Sequence, residues 1–194
     1  RDKAALQQWI EAMDDACPVD LVIANAGIST GSFSGEETCD AAEAVFAVNV
    51  GGVLHSIHPL LLRMQTRGYG HIAVMASLAS LLPLPGAPAY SASKAAVRYY
   101  GEALHGMLAP YGVTVSVICP GWITTPLTDK NDFPMPFKMS AARAAHRIIH
   151  SLERKKARIA FPYTLYFLIL ALRFLPYFLR GRILQMMPKK RLKT

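Results

Sequence analysis

The stretch from Gly68 to Gly121, GYGHIAVMASLASLLPLPGAPAYSASKAAVRYYGEALHGMLAPYGVTVSVICPG, decides the fold. Gly68 and Gly70 introduce the apolar run Ile72-Ala73-Val74-Met75-Ala76, which reads as a buried strand with Ser77 at its end. A loop punctuated by Pro83, Pro85, Gly86 and Pro88 follows, and a helix is expected from about Tyr90 to Ala109. Val113-Thr114-Val115-Ser116-Val117-Ile118 is a second strand, closed by Pro120-Gly121. Strand, helix and strand in this order make a crossover unit, and crossover units build parallel sheets.

The same grammar extends outward. Ala5, Leu6, Trp9, Ile10 and Met13 recur at helical spacing between Asp2 and Asp15, and Pro18 stops that helix. Val19 to Ala24 is a buried strand, closed by the turn residues Asn25-Ala26-Gly27. A polar Gly/Ser loop runs to Gly35, and a long helix is expected from about Thr38 to Arg67. Downstream, a Pro- and Phe-containing loop from Leu127 to Met139 leads into a helix from Ser140 to about Lys155, with a short last strand from Ala157 to Phe161. The expected fold is α/β, a doubly wound parallel sheet. Residues 1–158 form its catalytic part, and 159–194 an apolar, basic tail.

Charge is distributed unevenly. From Arg154 to Thr194 there are 11 Lys or Arg and no Asp or Glu, while the other 153 residues carry 10 basic and 13 acidic side chains. The body is therefore mildly acidic, and no basic stripe crosses it, which argues against nucleic acid. Cys17, Cys39 and Cys119 are odd in number and lack metal-ligand spacing, as expected of reduced thiols in an intracellular compartment. The chain opens on Arg1 rather than Met, directly at the start of a helical pattern, as expected of a piece of a longer protein.

Chemistry gathers on Tyr90-Ser91-Ala92-Ser93-Lys94. Residues four apart share a helix face, so phenol and ammonium can approach each other. A lysine cation beside a tyrosine stabilises phenolate and tunes it for proton transfer to or from an alcohol oxygen. Alone, Tyr-x-x-x-Lys also arises on ordinary surface helices. Its context is Ser77, thirteen residues earlier, at a strand end where α/β sheets line their ligand crevice. A hydroxyl there can orient a carbonyl or alkoxide, although a turn or helix-cap serine would look the same. Asn49 lies in an apolar helix before Gly51-Gly52, and paired glycines cost about 1 kcal/mol each there, which points to close packing or a local distortion. By itself Asn49 reads as a core amide satisfied by backbone.

Taken together, Asn25-Ala26-Gly27, Asn49, Ser77, Tyr90-x-x-x-Lys94 and Pro120-Gly121-x-Ile123-x-Thr125 resemble the short-chain dehydrogenase/reductase family in order and spacing, over roughly Arg1 to Thr128. The resemblance implies a hydride transfer between NAD or NADP and a secondary alcohol/ketone pair. It makes Tyr90 the general acid/base and gives Lys94 two tasks, lowering the Tyr90 pKa and bonding the nicotinamide ribose. Ser77 polarises the substrate oxygen, and Asn49 holds the water of a proton relay. Asn25, Ala26 and Gly27 support the sheet beside the cofactor, and Pro120, Gly121, Ile123 and Thr125 border the nicotinamide. The family often forms homo-oligomers. Ala24 before Asn25, and Met75-Ala76 before Ser77, depart mildly from its usual pattern.

The larger departure is the glycine-rich turn that would hold the pyrophosphate at a helix N-terminus, which is missing. Two βα units and a strand are therefore expected upstream, and NAD and NADP cannot be told apart. Phe133, Pro134, Met135, Pro136 and Phe137 fall in the loop that usually covers the substrate, which points to an apolar one. The tail is apolar from Ile159 to Leu179, is interrupted by Pro162, Arg173 and Pro176, and continues through Arg180, Arg182, Lys189, Lys190, Arg191 and Lys193. It reads first as a peripheral membrane contact of a cytoplasmic protein, then as a lid or oligomer surface, and last as a true span. The rival to an enzyme is a membrane-associated binding module, or an inactive fragment, that keeps these residues without turnover.

Overall fold

The structure, a computed structural model, describes residues 2–29, 37–129 and 134–186. Four parallel strands form the sheet in the order β1 (Leu21–Ala24), β2 (Gly70–Met75), β3 (Val113–Pro120) and β6 (Arg158–Phe161). The register pairs Ala24 with Val74, Val74 with Val117 and Pro120 with Phe161. A small parallel pair, β4 (Ile123–Thr124) and β5 (Met139–Ser140), lies beyond the carboxyl end of β3, with the one-turn helix α5 (Pro126–Asp129) between them in the chain.

Alternation along the strands divides the core in two. Ile72, Val74, Val115, Val117 and Ala160 face a large cluster under helices α3 (Gly52–Arg67) and α4 (Pro88–Leu108). Ala73, Ile118, Ile159 and Phe161 face a smaller one under α6 (Ala141–Glu153). Helices on both faces of a parallel sheet make this a doubly wound, Rossmann-like fold. Helix α1 (Lys3–Ala16), capped by Asp2 accepting from the Ala5 amide, packs on α3. Buried Asp14 joins them, taking Arg67 Nη1 at 2.7 Å and the Val19 amide at 2.8 Å.

Two local departures bear on the site. The helix expected over 38–67 is broken into α2 (Cys39–Phe46), a π-helical turn (Ala47–Gly51) and α3, with Asn49 inside the π turn. That turn is the local distortion to which the glycine pair pointed, and π turns of this kind recur at functional sites. Helix α4 starts at Pro88 rather than Tyr90, because proline at the first helical position loses no hydrogen bond there. The Glu37 carboxylate accepts from the Ala89 amide at 3.0 Å and serves as a cap that lies far away in sequence.

Gly101 sets how closely α4 lies on the sheet. A Cβ there would meet Val74 Cγ2 and Val117 Cγ2, each at 2.7 Å. The residues 159–161 assigned above to the tail are sheet residues of β6, so the tail proper begins at Pro162. It forms α7 (Tyr163–Arg173) and α8 (Tyr177–Met186). Eleven and ten residues rise only about 15–17 Å, short of the ~30 Å hydrocarbon core, so neither helix makes a span.

Candidate active site

The carboxyl ends of β1, β2 and β3 open onto a cavity of about 710 Å³, and Ser77, Tyr90 and Lys94 all line it. Ser77 follows β2 and caps a short 3₁₀ turn (Leu78–Ser80) by accepting from the Ala79 amide at 3.1 Å. Its hydroxyl also reaches the Pro120 carbonyl at 3.5 Å. The turn-cap and the site readings of Ser77 are thus compatible. Tyr90 comes from the first turn of α4, and Ser91 Oγ holds the preceding loop by accepting from the Leu84 amide at 3.0 Å.

Burial pushes the Tyr90 phenol above its usual pKa, and a hydrogen bond with Ser77 partly offsets this. The expected lowering by Lys94 is therefore not what the geometry produces. Lys94 Nζ lies 5.9 Å from the Tyr90 ring centroid, over the ring, and the water-poor setting disfavours phenolate. Lys94 is itself buried, and burial lowers its pKa to about 8. Its ammonium donates to the Met75 carbonyl at 2.7 Å. An ammonium has three donors, and this is the single hydrogen bond that Lys94 Nζ makes among the described residues.

Asn49 is wholly buried behind the cavity and does not line it. Its Oδ1 accepts from the Ile28 amide at 2.8 Å, and its Nδ2 donates to the Ile28 carbonyl at 3.0 Å and to Ser93 Oγ at 2.9 Å. Ser93 Oγ in turn donates to the Tyr90 carbonyl at 2.8 Å. The core-amide reading of the side chain is what the structure has: it clamps the loop after β1 to α4. Its polar atoms are committed, so a relay water would have to use its backbone.

Asn25 and Gly27 line the cavity, whereas Ala26 is exposed and does not. Gly27 lets the loop approach closely, since a Cβ there would lie 3.1 Å from Lys94 Nζ and 3.4 Å from Asn49 Oδ1. Pro120, Gly121, Ile123 and Thr125 line the opposite wall. A Cβ on Gly121 would meet Pro162 Cδ at 3.0 Å and Leu165 Cδ2 at 3.3 Å. Thr128, passed over in the sequence, locks this wall: its hydroxyl donates to the Ile123 carbonyl at 2.6 Å and accepts from the Thr125 amide at 3.0 Å.

Of the expected substrate loop, Pro134 and Pro136 line the cavity. Phe137 does not; it is exposed, with a left-handed φ of 60° that turns the chain outward. Phe133 lies outside the described residues, as do Lys189, Lys190, Arg191 and Lys193 of the tail. The apolar lining comes instead from Leu82, Ile148 and the tail residues Leu165, Ile169, Leu172 and Ile183. No local pattern marks these as cavity residues, because their role depends on how α6, α7 and α8 and the loop before α4 dock around the site.

The family model described as short chain dehydrogenase matches residues 1–134. The chain belongs to the short-chain dehydrogenase family. Among curated relatives, an "Uncharacterized oxidoreductase" of Myxococcus xanthus (strain DK1622) is 35% identical over 162 residues, which are 83% of this chain and 64% of that protein. One from Mycobacterium tuberculosis (strain CDC 1551 / Oshkosh) is 32% identical over 156 residues, 80% of this chain and 61% of that protein. The chain thus spans somewhat under two thirds of the length of these relatives. A short-chain dehydrogenase from Sphingobium yanoikuyae, solved in complex with NADPH, superposes with a TM-score of 0.77 at 19% identity, covering 96% of this chain and 72% of that one. At that identity the likeness bears on the fold, and it matches the parallel sheet of this short-chain dehydrogenase.

Proposed function

We propose that the chain carries the catalytic side of an oxidoreductase that transfers a hydride between NAD or NADP and an apolar secondary alcohol or ketone. The observation that carries this reading is the meeting of Ser77, Tyr90 and Lys94 on one largely apolar cavity. A relative of this fold was solved with NADPH, which agrees with a nicotinamide cofactor.

The residues present fit the nicotinamide side of such a cofactor. Lys94 is a buried cation with donors to spare among the described residues, and Gly27 and Gly121 keep the walls free of side chains where they close in. Asn25, Gly27, Lys94, Pro120, Gly121, Ile123 and Thr125 would hold it, with Ala26 contributing through the loop backbone. When bound, the nicotinamide supplies or accepts the hydride. The protein's part is proton handling and orientation. Tyr90 holds a proton on its oxygen, because burial raises its pKa, and passes it to the substrate oxygen as negative charge develops there. Ser77 donates to the same oxygen and aligns it with the phenol. Asn49 positions Lys94 and Tyr90 through Ser93 and the Ile28 loop.

In the whole protein, Tyr90→Phe is expected to lower NAD(P)-dependent turnover by at least ~10²-fold, the lower end for a positioned acid/base. Cofactor affinity, read by quenching or by nucleotide fluorescence, should change little. Turnover that survives the substitution would remove the acid/base role and favour a binding module.

A further inference from the structure

The outer face of α7 and α8 is apolar and cationic, and no described element covers it. Phe174 is 90% exposed, Tyr177 80%, Phe178 66% and Met186 85%. Such a cluster is unusual for a surface that meets only water. Two arginines of α8, Arg180 and Arg182, lie among these side chains, and Arg180 stacks on the Tyr177 ring at 5.6 Å, while Arg173 reaches Tyr99 of α4. Between residues 159 and 194 the sequence holds seven Lys or Arg and no Asp or Glu.

From this we infer that the α7–α8 face docks on an anionic lipid bilayer. Exposed aromatics with interleaved arginines are the side chains that settle at the boundary between headgroups and acyl chains. An acid-free cationic segment complements anionic headgroups, whereas it would repel a second copy of itself across a symmetric contact. The helices are too short to cross and therefore lie along the surface. Their inner sides, with Leu165, Ile169, Leu172 and Ile183, line the cavity that holds Tyr90, and Leu168 both lines it and is 54% exposed. Docking would thus place the cavity rim beside the lipid phase, where apolar alcohols and ketones concentrate. That last consequence rests on the function proposed above; the docking itself does not.

The test is flotation of the whole protein with vesicles of phosphatidylcholine containing about 30% phosphatidylglycerol and with pure phosphatidylcholine, at low and high salt. The expected result is at least ~10-fold more protein on the anionic vesicles, lost at high salt. The triple variant F174S/Y177S/F178S, at exposed positions, should melt with the parent and bind at least ~10-fold less. Absence of binding to anionic vesicles, or equal binding by the triple variant, overturns the inference. So does a concentration-dependent dimer that the triple variant abolishes while neither protein floats, since the face would then belong to a second copy.

Discussion

Replacing Asn49 by Ala tests the clamp on which the geometry of the site depends. The change removes three hydrogen bonds: from the Ile28 amide, to the Ile28 carbonyl and to Ser93 Oγ. Each is worth about 1 kcal/mol net, so the expected loss is about 2–4 kcal/mol once the fully buried void is included. The half-buried Ile28 groups can regain water if the loop moves, which keeps the loss from rising further. For 194 residues the unfolding entropy is about 0.4 kcal/mol per degree, so the melting temperature should fall by ~5–10 °C. Hydrogen exchange should show residues 25–29 losing protection ahead of β2. Asn49→Asp keeps the acceptor and loses both donations, and it places a carboxylate beside Lys94, since both groups lie within 3.4 Å of where a Gly27 Cβ would be. If Asn49→Ala unfolds within ~1 kcal/mol of the parent and the 25–29 amides stay protected, the clamp is not what holds this loop.

Lys94 gives a pH test. Its folded pKa of about 8 lies below the ordinary 10.5, so between those values the unfolded chain binds the extra proton and the folded one does not. Stability should therefore rise with pH across that window relative to Lys94→Met, and be lost as pH falls through about 8. A pH-independent difference in denaturant midpoints between the two proteins would contradict the burial argument. For Gly101→Ala, two valine methyls at 2.7 Å must give way. Overpacking of about 1–3 kcal/mol outweighs the ~1 kcal/mol gained from helix propensity. Thermal melts should show a loss of a few degrees, and an Ala variant as stable as the parent would mean that α4 has room the structure does not show.

Much of the fold was legible because its signals are local. Apolar runs bounded by glycine and proline placed β2 and β3, and helical periodicity placed α1 and α4. Local signals fall short where a residue's partner is remote. Pro88 reads as loop from its neighbours, because the Glu37 carboxylate that serves the first turn of α4 lies far away in sequence. The tail was ambiguous because an apolar, aromatic helix has the same composition whether it lines a cavity, meets lipid or covers a second subunit.

The division at the site has the same origin. Residue order alone shows which chemistry-bearing groups stand at strand ends and on one turn of a helix, since backbone geometry puts Tyr90 and Lys94 on a common face. How those groups behave depends on the packing that folding brings around them. Burial raised the Tyr90 phenol, which lysine proximity alone would have lowered, and left Lys94 near 8. Packing gave the Asn49 side chain to Ile28 and Ser93, and brought the tail to the cavity wall. Desolvation and long-range hydrogen bonds depend on every neighbour that folding brings in, and no stretch of sequence contains them.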